Sequence, residues 1–173
     1  MLWIYIAGAI FLFFTFVIFF GAPYVPSHKK DVKKVFEFLK ISKKDLIVDV
    51  GSGDGIILRL AAQRGASAVG YELQPILVLI SRLASLRYPK VATKLANFWR
   101  VELPKKTTLV YAFSVSRDEK KLAAKMQSEA SRLNRTVKLL CYSAPLTGLK
   151  PDLTFEAYAL YSFHPLQGEK AQV

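Results

Sequence analysis

The sequence predicts an α/β fold, a mostly parallel sheet with helices on both faces, preceded by one apolar N-terminal segment. Three observations predict it. Val48-Asp49-Val50-Gly51-Ser52-Gly53-Asp54-Gly55 reads as strand, glycine turn and helix start, and Val69-Gly70-Tyr71-Glu72 follows as a second strand ending in a carboxylate. Apolar runs of strand length then alternate with helix-period patterns along the chain, which is the pattern of a parallel sheet. Residues 2–20 contain no charged side chain.

Those nineteen residues are close to the ~20 that cross a bilayer as a helix. A retained anchor is expected rather than a cleaved leader. No Lys or Arg precedes the run, and bulky Phe19 and Phe20 flank any cut at Ala22. Trp3 and Tyr24 fall near its two ends, where interfacial aromatics are favoured. The expected boundaries are an anchor over 1–22 and one folded domain over 23–173. Pro23 and Pro26 stiffen the linker. Ser27 or Asp31 is placed to cap the next helix, whose Val32, Val35, Phe36 and Leu39 share one face.

Residues 46–50 are continuously apolar except for Asp49, as in a strand covered on both sides. A helix is expected over 55–64, stopped by Gly65. A second strand is expected over 68–73. Pro75 then opens an unusually apolar helix, Ile76-Leu77-Val78-Leu79-Ile80, ending near Tyr88-Pro89. Further strands are expected over 91–96, 107–113 and 136–142, and at least one over 153–163. Ser116 and Glu119 have capping-box spacing ahead of a helix carrying Leu122, Met126 and Leu133.

All 25 Lys and Arg follow the apolar run, and the net charge is +12. By the positive-inside tendency the domain is expected on the cytoplasmic side of the membrane. Lys29, Lys30, Lys33 and Lys34 lie just beyond the anchor, where they suit anionic lipid headgroups. Beside an anchor, a lipid surface accounts for this charge more economically than nucleic acid, which is not an expected partner. One cysteine, Cys141, and two distant histidines, His28 and His164, give no readable metal site.

The glycine turn narrows the cofactor. A dinucleotide fingerprint has the spacing G-x-G-x-x-G, whereas here Gly51, Gly53 and Gly55 are followed by Ile56. No phosphate-loop Lys follows. Asp49 just before the turn suits a ligand that brings positive charge, such as the ammonium and sulfonium of S-adenosyl-L-methionine. Glu72, at the tip of the neighbouring strand, is placed to accept ribose hydroxyls.

These residues together resemble class I S-adenosylmethionine-dependent methyltransferases. More narrowly they resemble the small membrane-anchored lysine methyltransferases that act on the mitochondrial adenine nucleotide translocase and ATP synthase c-subunit. Four stretches carry the likeness: Pro23-Tyr24-Val25-Pro26-Ser27; Asp49 to Gly55; Gly70-Tyr71-Glu72-Leu73-Gln74-Pro75 running on to Ser81-Arg82; and Asn97-Phe98-Trp99-Arg100-Val101-Glu102-Leu103. Asn97 stands where the family usually has Asp, and Phe113-Ser114-Val115-Ser116 matches only loosely.

The resemblance implies a Rossmann-like sheet, S-adenosyl-L-methionine as cofactor, and methyl transfer to a lysine of a membrane protein. It places Asp49 at the methionine end of the cofactor, Gly51, Ser52, Gly53 and Gly55 in the turn, Glu72 on the ribose, and Asn97 and Phe98 at the adenine edge. Trp99, Tyr111 and Phe113 are the aromatic pocket candidates, with core packing as the alternative role. Tyr24, Pro26 and Ser27 either close the pocket or only set the anchor's angle. Other readings stay open: a lipid or quinone acceptor, and a cofactor-binding membrane scaffold without turnover. A nucleic-acid methyltransferase usually has an Asn/Asp-Pro-Pro-aromatic signature after the fourth strand, which this chain lacks.

Overall fold

The computed structural model describes residues 2–6, 8, 28–113, 116–143 and 145–166. The elements are α1 (Lys29–Phe38), β1 (Leu46–Val50), α2 (Ile56–Gln63), β2 (Ser67–Glu72), α3 (Pro75–Ala84), β3 (Val91–Leu95), β4 (Leu109–Phe113), α4 (Glu119–Leu133), β5 (Val137–Tyr142), β6 (Leu153–Phe155) and β7 (Tyr158–Phe163). The strands form one sheet in the order β3-β2-β1-β4-β5-β7-β6. The first five are mutually parallel, and β6 and β7 are antiparallel additions. The expected α/β class with a mostly parallel sheet is therefore present.

The order fixes the layers. Two crossovers, β1-α2-β2 and β2-α3-β3, run toward one edge, and β4-α4-β5 runs toward the other. Right-handed connections then put α2 and α3 on one face and α4 on the opposite face. The side chains agree, because neighbours along a strand point to opposite sides. Ile47, Leu109 and Tyr111 are buried with α1 and α2, whose Val32, Phe36 and Leu58 fill that core. Val48, Val110 and Leu139 are buried against Leu122 and Met126 of α4. The connections that follow β1 and β4 run in opposite directions, toward β2 and toward β5, so a cleft opens at the carboxyl ends of these two strands.

Several local expectations need correction. His28, not Ser27 or Asp31, is the N-cap of α1, and it makes no side-chain capping bond. Asp31 sits in the first turn, where its charge suits the helix N-terminus. The helix expected from the Ser116–Glu119 spacing starts later than that spacing places it. Asp118 is the N-cap of α4, and Glu119 instead accepts from the backbone N–H and the hydroxyl of Thr147 at 2.9 and 2.6 Å. Helix α3 stops at Ala84, a turn short of Tyr88. The chain then tightens through Tyr88 N–H to the Ser85 carbonyl, because Pro89 disfavours helical backbone at Tyr88. The expected strand near the C-terminus is a hairpin of β6 and β7.

Residues 2–6 are helical with exposed side chains. Among the described residues no helix is long and apolar enough to cross a membrane. Most of the expected anchor, and the linker residues Tyr24, Pro26 and Ser27, lie outside the described residues.

Candidate active site

The glycine turn grows directly from the end of β1. Gly51, Gly53 and Gly55 have φ of 70°, 53° and 79°, the left-handed region that glycine enters without steric cost. The Gly51 and Ser52 N–H groups both donate to the Tyr71 carbonyl, at 3.0 and 3.1 Å, which ties the turn to the end of β2. Asp54 fastens the other side. Its Oδ1 accepts the Ile56 N–H at 3.1 Å and its Oδ2 pairs with Arg59 at 3.0 Å. A Cβ built on Gly51 would meet no atom within 4 Å, so the turn opens onto free space.

Glu72 sits at the tip of β2 and is buried. Its Oε2 accepts the Gly53 N–H at 2.8 Å, and its Oε1 accepts the N–H groups of Leu73 and Gln74 at 2.8 and 2.9 Å. One carboxylate thus locks the glycine turn to the start of α3. A carboxylate has about four acceptor positions, so three amides leave one at Oε2 for a hydroxyl.

Asp49 pairs in register with Gly70 on β2 and Tyr111 on β4, and is buried. Burial, reinforced by the negative charges of Glu72 and Asp54, pushes its carboxyl up to about 8. The acid is therefore held uncharged at neutral pH until a positive charge arrives beside it.

Ser52 belongs to the turn through its main chain. Its hydroxyl is buried and makes no hydrogen bond. It is packed against Gly70, where a Cβ would lie 2.4 Å from it. The Ser52 side chain therefore faces the protein, and only its main chain contributes to the turn.

Asn97 caps a short 3-10 turn at Phe98–Arg100, its Oδ1 accepting the Trp99 N–H at 3.0 Å. Its amide nitrogen is the group left for an adenine edge. Phe98 is buried beside Tyr71, with ring centroids 6.3 Å apart. Trp99 packs on the α4 side of the sheet, with the Lys121 ammonium 4.4 Å from its ring centre.

The three aromatic candidates are not brought together. Tyr111 shares the α1 and α2 face, opposite to Trp99. It is buried and hydrogen-bonded to Tyr158, whose hydroxyl is pushed up to about 12 by burial. Tyr111 therefore has the core role, which was the alternative. Phe113 lies two residues along on the same face, half-buried at the strand tip, its ring centre 5.7 Å from Tyr142. Tyr142 lies 5.0 Å from Tyr158. This Phe113–Tyr142–Tyr158 wall is the aromatic group the structure does assemble. Only the Tyr and Phe content of the last strands pointed to it.

Sequence reading also missed the grip of α4 on the 97–103 segment. Glu129, buried, accepts the Leu103 N–H at 3.2 Å and pairs with Lys125 and Arg132. Lys125 donates to the Val101 carbonyl at 2.7 Å and Arg132 to the Leu103 carbonyl at 2.8 Å. The partners are more than twenty positions apart, so no local motif marks them.

No family model matches the chain. It is 34% identical over 136 residues to the ATP synthase c-subunit lysine N-methyltransferase of Xenopus laevis, covering 77% of this chain and 58% of that protein. It is 30% identical over 121 residues to a protein-lysine N-methyltransferase of Saccharolobus islandicus (strain REY15A), covering 66% of this chain and 74% of that one. The chain belongs to the protein-lysine N-methyltransferase family.

Among solved structures, an RNA methyltransferase of Salinibacter ruber in complex with S-adenosyl-L-homocysteine aligns with a TM-score of 0.70 and 23% identity, over 84% of this chain and 97% of that one. At that identity the likeness concerns the methyltransferase fold alone. This family member spans 58% of the length of the Xenopus laevis relative.

Proposed function

We propose that this chain is an S-adenosyl-L-methionine-dependent methyltransferase that methylates lysine side chains of a membrane-associated protein. The observation that carries this reading is the Glu72 carboxylate bound to the Gly53 N–H, which joins a ribose acceptor and a bare main-chain turn in one unit. Glu72 would hold the ribose. Gly51, Gly53 and Gly55 would let the cofactor lie against the backbone. Asp49 would face its positive charge, and Asn97 the adenine edge over Phe98. When bound, the cofactor supplies an electrophilic methyl group.

The protein's own tasks are alignment and desolvation. Transfer to a nitrogen needs no acid or base at the carbon, so holding the acceptor in line is the main contribution. The acceptor must also be neutral. A lysine ammonium has a pKa of about 10.4, which falls when it loses water. Phe113, Tyr142 and Tyr158 at the strand tips offer such a wall.

The Xenopus laevis relative is named for a lysine of the ATP synthase c-subunit. By analogy the acceptor here is a lysine near a bilayer surface. In this reading residues 2–20 anchor the chain in a single pass, Lys29, Lys30, Lys33 and Lys34 meet anionic headgroups, and the domain faces the cytoplasm.

Incubating the full chain with methyl-labelled S-adenosylmethionine and native membranes tests this. Label is expected in protein and, after hydrolysis, in methyl-lysine. Label that extracts into organic solvent would favour a lipid or quinone acceptor. Cofactor binding without any transfer would favour a scaffold.

A further inference from the structure

Helix α3 exposes an apolar stripe although it lies on the surface. A surface helix ordinarily buries its apolar stripe and exposes polar groups. The buried residues of α3 are Val78 and Ser81, with Ser85 buried at its C-cap. Ser81 bonds to Thr93 of β3 at 2.6 Å. The exposed stripe is apolar: Ile76, Leu79, Ile80 and Leu83 are 45% to 59% exposed, and Leu86 just beyond is 79% exposed. Positions 76, 79, 80 and 83 follow the i, i+3, i+4, i+7 spacing of one helix face. Leu95 adds a further exposed apolar side chain on the edge strand β3.

The segment that carries this stripe is charged with one sign only. From residue 73 to residue 101 the chain has no Asp or Glu, but it has Arg82, Arg87, Lys90, Lys94 and Arg100. No acidic side chain pairs with any of these five among the described residues. An apolar stripe in a segment that carries bases and no acids matches an anionic bilayer surface, with leucines among the acyl chains and bases at headgroup level. A protein partner covering the same stripe would be expected to bring its own acids, and a second copy would oppose bases to bases.

We infer that α3 is an interfacial membrane-docking helix, which lies in the plane of an anionic bilayer with Ile76, Leu79, Ile80 and Leu83 inserted. This contact is separate from residues 2–20 and does not depend on the methyl-transfer reading. It has a geometric consequence for the site. Glu72 holds the N–H groups of Leu73 and Gln74 at the start of α3, so a docked α3 keeps the cofactor turn at the lipid surface.

The full chain carries one cysteine, Cys141, which is buried. An environment-sensitive thiol label can therefore be directed to Leu83→Cys, to Lys120→Cys on the opposite layer as control, and to Ile10→Cys in the apolar run. Each labelled chain is reconstituted into phosphatidylcholine vesicles with or without phosphatidylglycerol, containing a nitroxide-bearing lipid as quencher. The inference expects quenching at position 83 to exceed that at position 120 by about twofold or more, to strengthen with phosphatidylglycerol, and to fall when Leu79→Glu is added. Leu79, Leu83 and Lys120 are exposed, so variants at these three positions leave the core intact.

Quenching at position 10 with none above control at position 83 would overturn the docking while leaving the anchor standing. Shielding at position 83 in lipid-free detergent that grows with protein concentration would overturn it in favour of a second copy. Shielding that needs added membrane protein would overturn it in favour of a protein partner.

Discussion

Glu72 and Asp49 are both acids at strand ends beside the same glycine turn, yet their surroundings give them opposite tasks. Glu72 is satisfied by three backbone amides and holds geometry. Replacing it with Ala removes the acceptor position left for the ribose, a polar contact whose loss costs about 1–3 kcal/mol. Glu72→Ala is therefore expected to weaken S-adenosylmethionine binding by about that amount, read by titration calorimetry. Unchanged affinity would take Glu72 out of the site. Asp49 has its carboxyl raised to about 8 by burial first, well above about 3.9 for an unfolded Asp. The folded state then binds the proton more tightly, so Asp49's contribution to stability is full below pH 4 and is lost as pH rises to about 8. Asp49→Asn cannot titrate. It should flatten the fall in stability between pH 5 and 8, by on the order of a few kcal/mol, in urea midpoints measured across that range. An unaltered pH slope in the variant would mean another group causes the fall.

Elements show where sequence patterns carry structural information and where they stop. The strand–turn–strand unit around Asp49 and Glu72 was legible because its constraints are local: glycines for left-handed backbone, an apolar run for a buried strand. The apolar α3 was legible as a helix, but its length was not, because Pro89 acts on the residue before it. Ser116 and Glu119 have the spacing of a cap, yet Thr147 competes for Glu119 from 28 positions away, and no window along the chain shows that. The inward turn of the Ser52 hydroxyl is equally hidden, since it depends on Gly70 leaving room on the neighbouring strand. Trp99 and Tyr111 share only their aromatic character in the sequence; a sheet lies between them, and face assignment needs the crossover directions. The α4 grip on residues 97–103 belongs to the same long-range class and yields a prediction. Removing Glu129 takes the acceptor from the Leu103 N–H and the carboxylate partner from Lys125 and Arg132, which keep the Val101 and Leu103 carbonyls and Glu102. Leaving a buried hydrogen-bonding group unsatisfied typically costs about 1–3 kcal/mol. Glu129→Ala should lower the urea midpoint accordingly and loosen the segment that carries Asn97. A loss within about 0.5 kcal/mol, the range of a neutral surface change, would show that the grip contributes little.

At the scale of the whole molecule, the proposed specificity rests on where the cleft is held as much as on what lines it. The linker between the apolar run and α1 is short, about seven residues with Pro23 and Pro26, and spans at most ~25 Å. A cleft tethered at that reach samples acceptors close to the bilayer and at raised effective concentration. Acceptors in bulk water gain nothing from the tether. Deleting residues 1–22 removes the apolar run and leaves untouched every residue that forms the glycine turn, Glu72 and the sheet. The truncated chain is therefore expected to bind S-adenosylmethionine as the full chain does, and to methylate membrane-protein lysines far more slowly. Calorimetry reads the first expectation, and label incorporated into isolated membranes reads the second. If the truncated chain labels membranes at the full rate, tethering by residues 2–20 is not what delivers the acceptor. If it loses cofactor binding as well, residues 1–22 contribute to the pocket itself.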